Sequence, residues 1–281
     1  AKTPEDRQEV RQRTDLRIEA LGSGSDWTVF LDHLGIASLD LGYGEEDGGG
    51  IYHSIYDDFY WYTHFSDTDF SYGRALSQTV GTTVMRLADS DLLPYEFTGL
   101  ADTIHRYLGE LEKLLKTKQD EVIERNKEIE EGVFTATADP KKTSVPPPVE
   151  EVPPHLNFAP LQNASDALTR SAERYQKALE KVTKGGDLVV SAATLQALNS
   201  ELLQSERKLT SPGGLPGRPW FEHLIYAPGA YTGYGVKTIP GVREAIEQKK
   251  WKEADEQIVR AASALQDEAA LVNSAAQELE K

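Results

Sequence analysis

Apolar side chains recur at helical spacing along four stretches of the chain. Leu100, Ile104, Leu108, Leu111 and Leu115 form one stripe, and Leu161, Leu168, Tyr175, Leu179 and Val182 form a second. Leu195, Leu198, Leu202 and Leu209 make a third, and Ile258, Leu265, Val272 and Leu279 a fourth. Four such stripes predict a helical bundle. Between the first and second lies "GVFTATADPKKTSVPPPVEEVPPH", whose prolines forbid helix and whose length predicts an exposed or partly extended loop near residues 132–160. Between the third and fourth stands "SPGGLPGRPWFEHLIYAPGAYTGYGVKTIPGVREAI". It is too rich in glycine, proline and aromatic residues for a bundle helix, and a long ordered loop of this kind serves either a function or packing against a neighbouring domain.

The first third has a different texture. Residues 1–20 are a polar leader. "LGSGSDWTVFLDHLGIASLDLGY" then predicts a helix and a short strand, with Ser25 as N-cap, Trp27, Phe30, Leu31 and Leu34 on one face, and Gly35 as the left-handed C-terminal residue. Tyr72, Leu76, Val80, Val84 and Leu87 predict a further helix ending before Pro94. One helix and one strand cannot cover both faces of a sheet. Residues 21–93 are therefore expected to be the last portion of a larger α/β domain whose other strands lie upstream, with residues 94–281 forming an all-α domain behind it. The expected fold class is α/β followed by all-α. The four stripes also present more apolar surface than a bundle beside half a domain can hide, which predicts a symmetric homodimer with the closing helix at its interface.

Charge narrows the partners. With 30 basic and 46 acidic side chains the formal net charge is −16, which repels nucleic-acid phosphates and anionic membrane surfaces. Neither is expected as a partner. There is no cysteine, so thiolate metal sites, cysteine nucleophiles and disulfides are excluded, while the compartment stays open.

The chemistry-bearing passage is "GGGIYHSIYDDFYWYTH", residues 48–64. Its glycines allow close backbone approach, and His53 after them is a candidate ligand for a metal or a substrate. On residues alone, a histidine among aromatics is more often a satisfied core or surface group. His33, His64, His105, His155 and His223 have no metal-like spacing and are expected to be structural. The pairs Glu45–Glu46, Asp57–Asp58 and Glu150–Glu151 have no second ligand set beside them and are expected to be solvated charge.

"LGSGSDWTVFLDHLGIAS", "YHSIYDDFYW", "GLPGRPWFEHLIYAPGAYTGYGVKTIPG" and the closing helix, in this order and spacing, together resemble the C-terminal part of the glutamate carboxypeptidase II and transferrin receptor family. The resemblance runs from Leu21 onward. It implies that residues 21–93 end a zinc peptidase domain and that the rest is the dimerisation domain. It makes His53 a ligand to one of two zinc ions and Tyr52 a substrate contact, with Ser23, Gly24, Ser25 and Tyr234 on the substrate side. The implied reaction is hydrolysis of a peptide near its end by a metal-bound water, with a glutamate as base. The other metal ligands and that base belong to upstream family motifs, so no catalytic residue is expected in this chain, and the upstream peptidase segment is an expected partner. The compartment stays undetermined, and the same resemblance implies an extracytoplasmic or secretory-pathway setting.

Departures from the glutamate-selective pattern bear on the substrate. Asp40 and Gly42 stand where those members carry arginines, Gly233 where they carry a lysine, and Ser25 where they carry an asparagine. A preference for acidic substrates is not expected. Two other readings remain beside the peptidase: a receptor-like relative that binds protein without catalysis, and a free-standing dimerisation module. His53 favours the peptidase, and the incomplete α/β segment disfavours the free-standing module.

Overall fold

A computed structural model describes residues 4–12, 18–43, 51–136, 139, 141, 145–184 and 187–281. The helices are α1 (Pro4–Gln12), α2 (Phe59–Trp61), α3 (Ser71–Ala88), α4 (Thr98–Glu130), α5 (Val133–Ala136), α6 (Ala159–Val182), α7 (Ala192–Leu202), α8 (Ser205–Lys208), α9 (Pro240–Glu247) and α10 (Trp251–Leu279). Val29–His33 and Tyr62–Ser66 are π-helical turns. Strands β1 (Thr183–Lys184) and β2 (Asp187–Leu188) pair antiparallel, as do β3 (Tyr226–Pro228) and β4 (Val236–Thr238), where Tyr226 faces Thr238 and Pro228 faces Val236. Among the described residues no helix is long and apolar enough to cross a membrane.

All four stripes form helices. The first lies in α4, the second in α6, the third in α7 and just beyond α8, and the fourth in α10. Local chemistry sets where they begin. The Glu96 carboxylate accepts the Thr98 and Gly99 amides at 2.6 and 2.9 Å ahead of α4, satisfying donors that the first turn leaves open. Ser191 caps α7 by accepting the Thr194 amide at 3.1 Å.

The core is centred on the contact between α6 and α10. Ala164, Ser165, Ala172 and Ala178 on α6 and Ala254, Ala261, Ala262, Ala269, Ala275 and Ala276 on α10 are all buried. Small side chains let the two helix axes approach, and Leu161, Leu168, Tyr175, Leu265 and Val272 interdigitate among them. The proline-rich segment lies along α4. Asn126 donates to the Glu150 carbonyl at 2.7 Å and accepts its amide at 3.0 Å, and Gln119 donates to the Pro153 carbonyl at 3.1 Å. Side chains thus satisfy backbone groups of an extended stretch that has no sheet neighbour. Leu156 and Phe158 at its end plug into the core.

Two expectations are corrected. Residues 36–43 join no strand ladder; the described strands are the two short hairpins, and a lone extended segment has no neighbour to bond. The mostly helical described residues bear out the bundle. The apolar stripe of α10 is also not a free interface: Ile258 and Leu265 are 1 % and 0 % exposed, because α6 covers them. The excess apolar surface lies elsewhere. Between residues 21 and 93, Leu31 is the one buried large apolar side chain among the described residues, and α3 buries none of its own.

The bundle contains one buried carboxylate with a titratable consequence. Glu268 on α10 is fully buried and accepts the Ser205 hydroxyl at 2.6 Å. Burial pushes its carboxyl up to about 7, against the pull of the Ser205 hydrogen bond and with a further push from Glu206. The folded protein keeps this proton to higher pH than the unfolded chain. The contribution to stability is therefore full below about pH 4.5 and is lost as pH rises to about 7. Glu268→Gln keeps the acceptor and removes the charge, so its urea midpoint is expected to match the parent near pH 4.5 and to exceed it at pH 8. An equal midpoint at both pH values would show that Glu268 is ionised in the fold.

Candidate functional site

Three segments far apart in sequence meet at Tyr234. The β3–β4 hairpin carries this residue on its connecting loop, which is closed by the Gly229 amide on the Gly235 carbonyl at 3.0 Å and by the Thr232 hydroxyl on the same carbonyl at 2.7 Å. Against this loop rests the turn at residues 22–24. Ser23 donates its amide to the Tyr234 carbonyl at 3.3 Å and its hydroxyl to the Gly233 carbonyl at 3.5 Å. The approach requires glycine on both sides of Ser23. A Cβ at Gly22 would stand 2.2 Å from the Tyr234 carbonyl oxygen, and one at Gly24 would stand 2.6 Å from the Tyr234 ring, where φ is also +102°.

His53 comes from the third segment. It sits in a turn closed by the Ser54 amide on the Ile51 carbonyl at 2.8 Å, and its φ of 63° is left-handed, a conformation a non-glycine residue adopts at a cost of about 1–3 kcal/mol. Its Nε2 lies 3.4 Å from Tyr234 Oη, and the Tyr52 ring packs 3.9 Å from its own. Tyr52 and Tyr234 are well exposed, so the arrangement is an open face rather than a closed pocket. An imidazole, two phenols and a backbone turn can together hold a polar chain by hydrogen bonds and one ring face.

The segment carrying Ser23 is anchored to the long loop before β3. The Glu222 and His223 amides both donate to the Asp32 carbonyl, at 2.8 and 3.1 Å, and His33 stacks on Trp220 at 4.9 Å while its Nδ1 lies 2.8 Å from the Trp220 carbonyl. The Asp32 side chain is fully buried, and burial pushes its carboxyl up to about 7 against the opposing charge of Arg218. His223 is fully buried too. Its Nδ1 accepts the Ile225 and Tyr226 amides, so the ring proton stands on Nε2 and is donated to Glu206 at 2.8 Å.

The sequence profile of the transferrin receptor-like dimerisation domain matches residues 156–273. A probable glutamate carboxypeptidase, LAMP1, of Arabidopsis thaliana is 29 % identical over 251 residues, covering 87 % of this chain and 30 % of that protein. A probable glutamate carboxypeptidase of Arthroderma benhamiae is 30 % identical over 261 residues, covering 92 % and 31 %. The aminopeptidase NAALADL1 of Rattus norvegicus is 23 % identical over 264 residues, covering 89 % and 30 %. Over most of its length the chain is similar to members of the glutamate carboxypeptidase and transferrin receptor family. It spans about a third of the length of these family members.

Of the residues that the family resemblance singled out, the structure brings Ser23, Gly24, Tyr52, His53 and Tyr234 together. Ser25 stands apart, exposed, and it is its carbonyl rather than its hydroxyl that accepts the Thr28 amide, at 3.2 Å. Gly48–Gly50 and the pair Glu45–Glu46 lie outside the described residues. Asp58 caps α2 through the Trp61 amide at 2.8 Å, and Glu150 pairs with Arg125 and Lys249, so these acids are structural partners rather than merely solvated. Gly42 and Gly233 have open space where a side chain would stand. Sequence reasoning missed Asp32, Arg218 and Glu244, although an aspartate inside the apolar run "VFLDHL" was a visible signal.

Gly24→Ala tests the approach of the turn to Tyr234. It is expected to lower the unfolding free energy by about 1–3 kcal/mol through the forced left-handed backbone and the blocked ring. Urea denaturation measures this, and an unchanged midpoint would mean that the turn does not rest on Tyr234 in solution.

Proposed function

We propose that this chain supplies one zinc ligand, part of the substrate pocket and the dimerisation domain of a dinuclear zinc exopeptidase. The observation that carries the reading is the convergence of Ser23, Gly24, Tyr52, His53 and Tyr234 from three separate segments. In this reading residues 21–93 belong to the α/β peptidase domain and residues 94–281 to the helical dimerisation domain. The exposed apolar side chains of 21–93 are then covered by the remainder of the peptidase domain. The names of the relatives, glutamate carboxypeptidase and aminopeptidase, support a peptide substrate.

The metal tests this assignment most sharply. Zinc takes three or four ligands, and the described residues contain no group of three histidine, aspartate or glutamate side chains placed to hold an ion. His53 can supply one neutral imidazole, its Nε2 directed to the open face beside Tyr234. The described residues therefore do not make a zinc site by themselves, and no hydrolytic step is derived from them. What they can do is bind. The Tyr52 and Tyr234 phenols can donate to a peptide carbonyl or carboxylate, and the Ser23–Gly24 turn and the hairpin loop form one wall. A symmetric homodimer through the helical domain completes the proposal.

Two outcomes follow. In an active assembly containing the full metal site, His53→Ala is expected to remove about one zinc ion per protomer and to lower kcat/KM by at least about a hundredfold. Retention of both metals, measured by elemental analysis, would reassign the ligand. The same assembly is expected to cleave peptides with neutral or basic residues beside the scissile bond in preference to glutamate, because Asp40, Gly42 and Gly233 place no cation there. A kinetic panel of dipeptides measures it, and a clear preference for terminal glutamate would locate the missing cations in other segments.

A further inference from the structure

The loop that presents Tyr234 needs an anchor that its own hairpin cannot supply. Each strand of the β3–β4 hairpin has three residues, too few to fix a loop by pairing alone, and the loop carries glycines at 229, 233 and 235. Two charged side chains grip its first residues instead. Arg218 donates through Nη1 to the Pro228 carbonyl and through Nη2 to Glu244 Oε2 at 2.8 Å. The other oxygen, Glu244 Oε1, accepts the Ala230 amide at 2.8 Å. Both side chains are mostly buried, at 18 % and 13 % exposure, where a charge-assisted bond is strong and its geometry is held. The guanidinium also lies over the Phe221 ring at 5.3 Å.

Arg218 is linked to the other half of the site through its own segment. It begins the segment that docks the Asp32–His33 turn, and its charge acts on the buried Asp32 carboxylate. The segment that Arg218 begins thus ties the turn after Ser23 and Gly24 to the loop that bears Tyr234. Buried ion pairs contribute little net stability but can specify one arrangement among several. We propose that Glu244 and Arg218 are positioning residues, which by holding Pro228 and Ala230 at the mouth of the loop set where the Tyr234 ring stands opposite His53 and hence how firmly a peptide is held. The second half of this statement rests on Tyr234 being a substrate contact.

Amide exchange and steady-state kinetics separate the two halves. In Glu244→Ala, exchange at residues 230–234 is expected to quicken about tenfold while the α6 and α10 amides keep their rates, as befits loss of one charge-assisted hydrogen bond. Where peptidase activity is present, KM is expected to rise about tenfold with kcat within about twofold, and Tyr234→Phe should add nothing further in the double variant. Glu244→Gln, which keeps the acceptor for Ala230, should restore most of both. Unchanged exchange at 230–234 in Glu244→Ala would overturn the proposal, as would a fall in kcat alone. Quickened local exchange in an assembly that holds both zinc ions yet has no peptidase activity would support the positioning role while removing the peptidase reading. If Glu244→Ala exchanges globally, Arg218→Lys gives the decision, since it keeps the charge and loses the two-pronged donor.

Discussion

The close contact of α6 with α10 is the constraint on which the rest of the molecule depends. It exists because alanines line both helices where they face each other, joined by Ser165 and Ser171 on α6, so the axes approach and the larger residues between them lock. The hairpin that presents Tyr234 is rooted in the same core. Leu209, Ile225 and Ile239, which bracket the loop before β3 and the β3–β4 hairpin, are buried in the same cluster as Leu265 and Val272. The bundle therefore fixes the base from which Tyr234 is held out toward His53.

The site itself is made by close approach rather than by depth. The glycines flanking Ser23 let a backbone turn lie against the Tyr234 loop, and a left-handed His53 turns its ring to the same residue. Strain of this kind persists where surrounding contacts hold it, and it collects at functional positions. The electrostatics are arranged one step behind. Asp32 is buried, and Arg218 and Glu244 are mostly buried, at 18 % and 13 % exposure. Their effect on the site passes through the backbone of residues 228–230 and 32.

Much of the helical half was legible in the sequence because helical spacing is a local signal. The stripes at Leu100–Leu115 and Leu161–Val182 needed no knowledge of their partners to be placed in helices. Which side of a stripe meets which neighbour was not legible: Ile258 and Leu265 are equally consistent with an interface and with a core until α6 is seen lying over them. The strand expected after Ile36 failed for the opposite reason, since a strand is defined by its neighbour and residues 36–43 have none among the described residues. In the site, motif resemblance pointed to His53, Tyr52, Ser23, Gly24 and Tyr234. It gave no reason for the glycine at 22, nor for the Arg218–Glu244 pair, because those roles depend on contacts that only the folded chain brings together, such as Gly22 with Tyr234.

The central claim is that the helical domain lends Tyr234 to a site whose other members lie on the segment from Leu21 to His53. Nuclear Overhauser effects in protein labelled selectively at glycine and tyrosine test it directly. The account predicts strong cross-peaks from the Gly24 α-protons to the ring protons of Tyr234, since a Cβ placed at Gly24 would stand 2.6 Å from that ring. A Tyr234 ring with no cross-peak to Gly24, in protein whose α6–α10 core is intact, would contradict it.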